Sequence, residues 1–162
     1  MNKAIYFDLD GTIVDLYGFS GWLADLEAEN VRPYAEAKPL LNLSLLARYI
    51  HKAQRMGYMV GVISWLSKCG SDSYNEAVTV AKREWLAKHL PSVEWDEIHI
   101  VAHGTPKTSF ATCEGCILFD DEMGNREEWG ELAYTPEEIF EVLKETTRKP
   151  TDLEIILSWG NL

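Results

Sequence analysis

The chain has 162 residues, with 15 Lys and Arg set against 26 Asp and Glu for a formal net charge of −11. A single domain of this length buries enough surface to hold a core without disulfides or a structural metal, and a composition of 46% hydrophobic and 25% charged residues excludes a chain disordered throughout. The carboxylate excess excludes a general nucleic-acid binder, whose affinity comes from neutralised phosphates, but leaves room for a small anion held in one pocket.

In chain order, the first element is a short apolar strand over 3–7 that runs straight into Asp8. It is too short for the core of a signal peptide. Residues 15–39 stand apart from the alternation that follows and read as a small insertion, with Trp22, Leu23 and Leu26 on one short helix that ends near Pro33. Leu43, Leu46, Ile50 and Ala53 recur at helical spacing and Gly57 closes that helix. A buried strand over 58–63 comes next, then a helix over 73–90 with Tyr74, Val78, Ala81 and Trp85 on one stripe and Pro91 as its stop. Strands over 98–102 and 117–119 complete the apolar runs, and Thr135-Pro136-Glu137-Glu138 carries the capping signals of a last helix reaching about Glu145. The apolar tail over 153–159 reads as an edge strand or a surface that packs on a partner.

This alternation predicts one α/β domain over 1–162: a doubly wound, Rossmann-like parallel sheet with helices on both faces and the 15–39 segment as a very small cap. No apolar run approaches the roughly 20 residues of a membrane span. Three cysteines make no disulfide framework and fit a reducing compartment, so a cytoplasmic protein without a membrane partner is expected.

Ligands of an open α/β sheet bind beyond the carboxyl ends of its strands. Those ends carry Asp8-Leu9-Asp10-Gly11-Thr12, Ser64-Trp65, Thr105-Pro106-Lys107 and Asp120-Asp121-Glu122. Carboxylates crowded this closely repel one another unless a cation joins them, and an all-oxygen set suits Mg²⁺ with an anionic substrate.

These four groups, in this order, resemble the four motifs of the haloacid dehalogenase superfamily, and the resemblance spans roughly residues 3 to 125. It implies a Mg²⁺-dependent phosphomonoester hydrolase. Asp8 is then the nucleophile that forms an aspartyl-phosphate, and Asp10 the general acid and base. Ser64 and Lys107 contact the phosphate. The metal lies on Asp8, the backbone carbonyl of Asp10, and Asp120, while Asp121 orients Lys107 or a metal-bound water. The Ser64-Trp65 step and the Asp120-Asp121 ending look similar to the 5'-deoxyribonucleotidase group, which implies a nucleoside monophosphate. Tyr17, Phe19, Trp22 and Trp65 are the candidate entrance on which a base would stack, with packing of the insertion on the sheet as the plain alternative.

The departure from that group is the cap, larger there than 15–39 allows here. Members with little cap act on larger substrates or close the site with a neighbouring subunit. A polynucleotide end or a phosphoprotein is therefore the alternative substrate, and a homo-oligomer is among the expected states. Two non-enzymatic alternatives compete with this reading. A receiver-like signalling domain fails on order, because its phospho-accepting Asp belongs on the third strand, which here ends in His103-Gly104. A silent phosphate-binding module would lose the nucleophile, and Asp8 is present. Cys113-Glu-Gly-Cys116 with His99 and His103 nearby has zinc-site spacing. The plainer expectation is two free thiols in a loop.

Overall fold

The computed structural model describes residues 3–111 and 113–161. After β1 (Lys3–Phe7) come α1 (Trp22–Glu27), α2 (Arg32–Glu36), α3 (Leu43–Arg55), β2 (Tyr58–Trp65), α4 (Asp72–His89) and β3 (Glu97–Val101). A 3₁₀ turn at Lys107–Phe110 leads to β4 (Ile117–Phe119), α5 (Met123–Trp129), β5 (Ala133–Tyr134), α6 (Ile139–Thr146) and α7 (Asp152–Trp159). The five strands form one sheet in the order β3-β2-β1-β4-β5, parallel throughout, which is the predicted fold class.

Side chains of a strand alternate between faces, and β1 shows this with both faces buried. Ile5 and Phe7 join Leu46, Ile50 and Ala53 of α3, Trp85 and Leu86 of α4, and Ile139 and Leu143 of α6. Ala4 and Tyr6 point the other way, onto Ile63, Cys116 and Leu118, with Trp129 of α5 packed against them. The stripes read from helical spacing are the buried ones, with Leu43 half-buried at the edge of the same core. The Trp85 indole N–H, taken into the core, is satisfied by the carbonyl of Ala37 at 2.8 Å.

Four expectations about the fold are corrected. The insertion holds two helices, not one: α1 ends at Glu27, and Pro33 lies in the first turn of α2, where its missing N–H costs nothing. Its Leu16 and Tyr34 pack against Tyr74, Val78 and Ala81 of α4. β2 runs two residues further than predicted, so Ser64 and Trp65 are still paired with β3. The tail forms the helix α7 instead of an edge strand, because Thr151 and Glu154 make a reciprocal capping box and Arg148 clamps Glu154 from the preceding turn. Leu153, Ile156, Leu157 and Trp159 of α7 are all more than half exposed.

The fourth correction concerns the cysteines. Cys113 and Cys116, with Cα atoms 5.8 Å apart, are joined in a disulfide, and Cys69 is free. Sulfurs bonded to each other are not thiolate ligands, and the two histidines are engaged elsewhere: His99 bonds Glu97 and stacks on Phe110, and His103 packs on Trp65. The zinc alternative is therefore set aside. Among the described residues, no helix is long and apolar enough to cross a membrane.

Candidate active site

Asp8 is the first residue beyond the pairing of β1, and its N–H still donates to the carbonyl of Phe119 at 2.9 Å. The chain then turns tightly on the carbonyl of Leu9, which accepts from the N–H groups of Thr12, Ile13 and Val14. The turn needs Gly11, whose φ is +80° and whose absent side chain leaves room for the Asp121 carboxylate. Thr12 Oγ1 lies 3.3 Å from Asp8 Oδ2 and 3.4 Å from Asp121 Oδ1, within reach of the two strand ends at once.

Lys107 opens the 3₁₀ turn and is 3% exposed. Its Nζ donates to Asp8 Oδ1 at 2.9 Å and to Asp120 Oδ2 at 2.6 Å. Asp120 is fully buried; its Oδ2 also accepts from Asn125 Nδ2 at 3.1 Å, and its Oδ1 accepts from the N–H of Glu122 at 2.9 Å. Lys107 thus rests on Asp120 and not on Asp121, so of the two expected roles of Asp121 the orientation of Lys107 is corrected. Asp121, set beside Asp8 and Thr12, faces the shared opening.

Asp8, Asp120 and Asp121 each offer an oxygen within 4.8 Å of the others. Hard divalent cations are held by oxygens, and Mg²⁺ by one or two carboxylates with water completing an octahedron. The donor set can hold such an ion. The side chain of Asp10 is not part of this group. It turns to Lys82 of α4, whose Nζ donates to Asp10 Oδ2 at 2.7 Å, Ser64 Oγ at 2.8 Å and the carbonyl of Trp65 at 2.6 Å.

Electrostatics follow from this crowding. Burial, then the Asp8 charge, raises Asp120 to about 6 and Asp121 to about 8. Burial also raises Asp10, with Lys82 pulling the other way. For Lys107 burial opposes the charged form, but Asp8 and Asp120 outweigh it and its pKa is raised.

A cleft of about 230 Å³ lies over these groups, with Asp8, Asp10, Lys107, Asp120 and Asp121 in its floor and Tyr17, Trp22, Tyr34 and Trp65 in its walls. Tyr17 and Trp22 meet edge to face at 5.0 Å between ring centres. Trp65 is fixed by its indole N–H donating to the carbonyl of Thr105 at 2.8 Å, and the Lys107 ammonium lies 5.5 Å from its ring centre. Two expected residues stand outside the cleft. Phe19, in the turn that precedes α1, packs against the core with Arg32 over its ring. Ser64 is fully buried beside Lys82 and is not in the cleft wall. Three residues have no part in the sequence analysis: Tyr34 and Asn125, which line the cleft, and Lys82, which bonds Asp10 from within α4. The available signal was the position of Lys82, four residues after Val78 and three before Trp85, within the buried stripe of α4.

No family model and no curated protein matches the chain. Among solved structures, it is similar to the D,D-heptose 1,7-bisphosphate phosphatase of Burkholderia thailandensis, with a TM-score of 0.51 over 81% of this chain and 74% of that one at 19% identity. At that identity the likeness is one of architecture: the chain shares the parallel α/β fold of that phosphatase.

Proposed function

We propose that the chain is a divalent-cation-dependent phosphomonoester hydrolase that works through an aspartyl-phosphate. The observation that carries this reading is the contact of one buried ammonium, Lys107, with both Asp8 and Asp120 at the floor of a cleft where Asp121 adds a third carboxylate. Lys107 balances charge that spreads over phosphoryl oxygens as they enter. Asp8 attacks phosphorus as the bond to the leaving oxygen breaks, and Asp10 gives that oxygen its proton. Water then attacks the aspartyl-phosphate, Asp10 takes the water's proton, and Asp8 and inorganic phosphate are released. Asp8, Asp120 and Asp121 would hold Mg²⁺, which supplies neutralisation of the phosphoryl charge. The fold similarity to a phosphatase supports the reading.

The cleft, about 230 Å³, is smaller than the roughly 300 Å³ at which drug-sized pockets begin. It fits the phosphoryl group, and the rest of the substrate lies across the aromatic rim. Tyr17, Trp22 and Trp65 on that rim favour a planar base, hence a nucleoside monophosphate. A second reading, a polynucleotide end or a phosphoprotein, draws on the shortness of the insertion helices, six and five residues, which leave the cleft open. A panel of aryl, nucleoside, sugar and peptide phosphates, assayed with Mg²⁺ and with chelator, tests both. Hydrolysis that requires the cation and disappears in Asp8→Asn is expected. Turnover that persists in the variant or in excess chelator overturns the mechanism.

A further inference from the structure

Lys82 is 2% exposed on a helix whose other buried residues are almost all apolar. A buried ammonium is costly unless its hydrogens are all bonded, and an ammonium has three donors and no acceptor. Asp10 Oδ2, Ser64 Oγ and the carbonyl of Trp65 take all three, and the Tyr34 ring lies 5.1 Å from Nζ. No donor is left for a phosphoryl oxygen, so Lys82 does not act by touching substrate. Its contacts instead join the loop after β1 to the end of β2 and engage one oxygen of Asp10, while Asp10 still forms part of the cleft floor.

We propose that Lys82 is a positioning residue for Asp10. Resting on the hydrolase reading above, this role is to fix Asp10 so that its remaining oxygen addresses the leaving-group oxygen over Asp8. Lys82, itself held by Ser64 and the Trp65 carbonyl on a helix packed into the core, restrains that carboxylate through its third bond, and misplacement of a proton donor is felt most where the leaving group most needs a proton.

A double-mutant cycle on the full-length protein tests this: wild type, Lys82→Met, Asp10→Asn and the double variant, each assayed with an activated aryl phosphate and an alkyl phosphate, with inorganic phosphate inhibition and thermal unfolding measured alongside. Lys82→Met should lose roughly 10²-fold in kcat/KM on the alkyl phosphate and clearly less on the aryl one. In the Asp10→Asn background the same change should cost less than about threefold, because the residue it acts through is already gone. Phosphate inhibition should hold. Multiplying losses in the double variant overturn the proposal in favour of a purely structural lysine, and weakened phosphate inhibition at unchanged kcat overturns it in favour of a substrate contact. If Lys82→Met alone fails to fold, the double variant, which removes both charges of the pair, is compared with Asp10→Asn: equal activity supports the role and a further loss overturns it. A wild type active on no phosphomonoester removes the hydrolase reading and this role together, whereas an active wild type whose leaving-group dependence is unchanged in Lys82→Met removes this role alone.

Discussion

Replacing Asp8 by Asn should abolish turnover and, in chelator, change stability by an amount whose sign depends on pH. With oxygens of Asp8, Asp120 and Asp121 within 4.8 Å of one another, each pair of ionised groups repels by about 3 kcal/mol at an effective dielectric of about 20. The attraction of Asp8 for Lys107, 2.9 Å away, is about 6 kcal/mol on the same scale. When Asp120 and Asp121 are both charged, the two repulsions roughly cancel the attraction, and removing the Asp8 charge is close to neutral. When both are protonated only the attraction remains, and the substitution destabilises. Asp120 and Asp121 are carboxyls raised to about 6 and about 8, so the folded wild type holds their protons longer than the unfolded chain does and loses stability as pH rises through those values. Part of that rise comes from Asp8, and the variant therefore loses less. Between about pH 5 and about pH 9 the variant should gain on the wild type by at least about 2 kcal/mol, or roughly 4–8 °C in Tm. Thermal unfolding followed by circular dichroism in chelator across that range is the assay. A difference in Tm that stays constant with pH would refute the assignment of mutual repulsion among these three carboxylates.

Three further outcomes are expected. A saturating divalent cation should raise the wild-type Tm, by about 2.7 kcal/mol of stabilisation at a hundredfold excess over Kd. The gain should be larger on the alkaline side of about pH 8, where protons no longer compete for Asp121, and should shrink in Asp121→Asn; calorimetric titration that finds equal affinity in both proteins contradicts this. Gly11→Ala puts a methyl group onto the Asp121 carboxylate at a φ of +80°, so urea unfolding should show a loss of about 1–2 kcal/mol, with kcat/KM reduced as well. Trp22→Ala should weaken turnover of nucleoside monophosphates by an amount consistent with about 1–3 kcal/mol and leave phosphate inhibition unchanged; parallel loss of both would make Trp22 a packing residue of the insertion.

The elements with strong periodicity are legible in the sequence: β1 and β2 as apolar runs, α3 and α4 as helical stripes, and the acids at strand ends because topology alone brings strand ends together. What escaped lacks a local signature. β5 is two residues long, and the α5 segment buries Asn125 instead of an apolar stripe. Lys82 carries no signature of its own, since lysines are rarely buried, and only the packing of α4 over the sheet shows its partners. Which of the adjacent Asp120 and Asp121 meets Lys107 turns on one residue at the end of β4, beyond what spacing can resolve. The edge-strand alternative for the tail follows its hydrophobicity alone and overlooks Thr151 and Glu154, which carry the capping signal in plain view.

The first strand in sequence is the middle strand in space: β1 pairs with β2 on one side, Lys3 beside Tyr58, and with β4 on the other, Ile5 beside Ile117. Neither partner is near in sequence, so closure of these long loops precedes any reward from the sheet, a topology that folds slowly for its size. During synthesis the segment that ends in Asp8 waits for more than a hundred residues before both of its neighbours exist. A circular permutant opened in the exposed turn at Gly57 would meet the same sheet with its strands delivered in a different order.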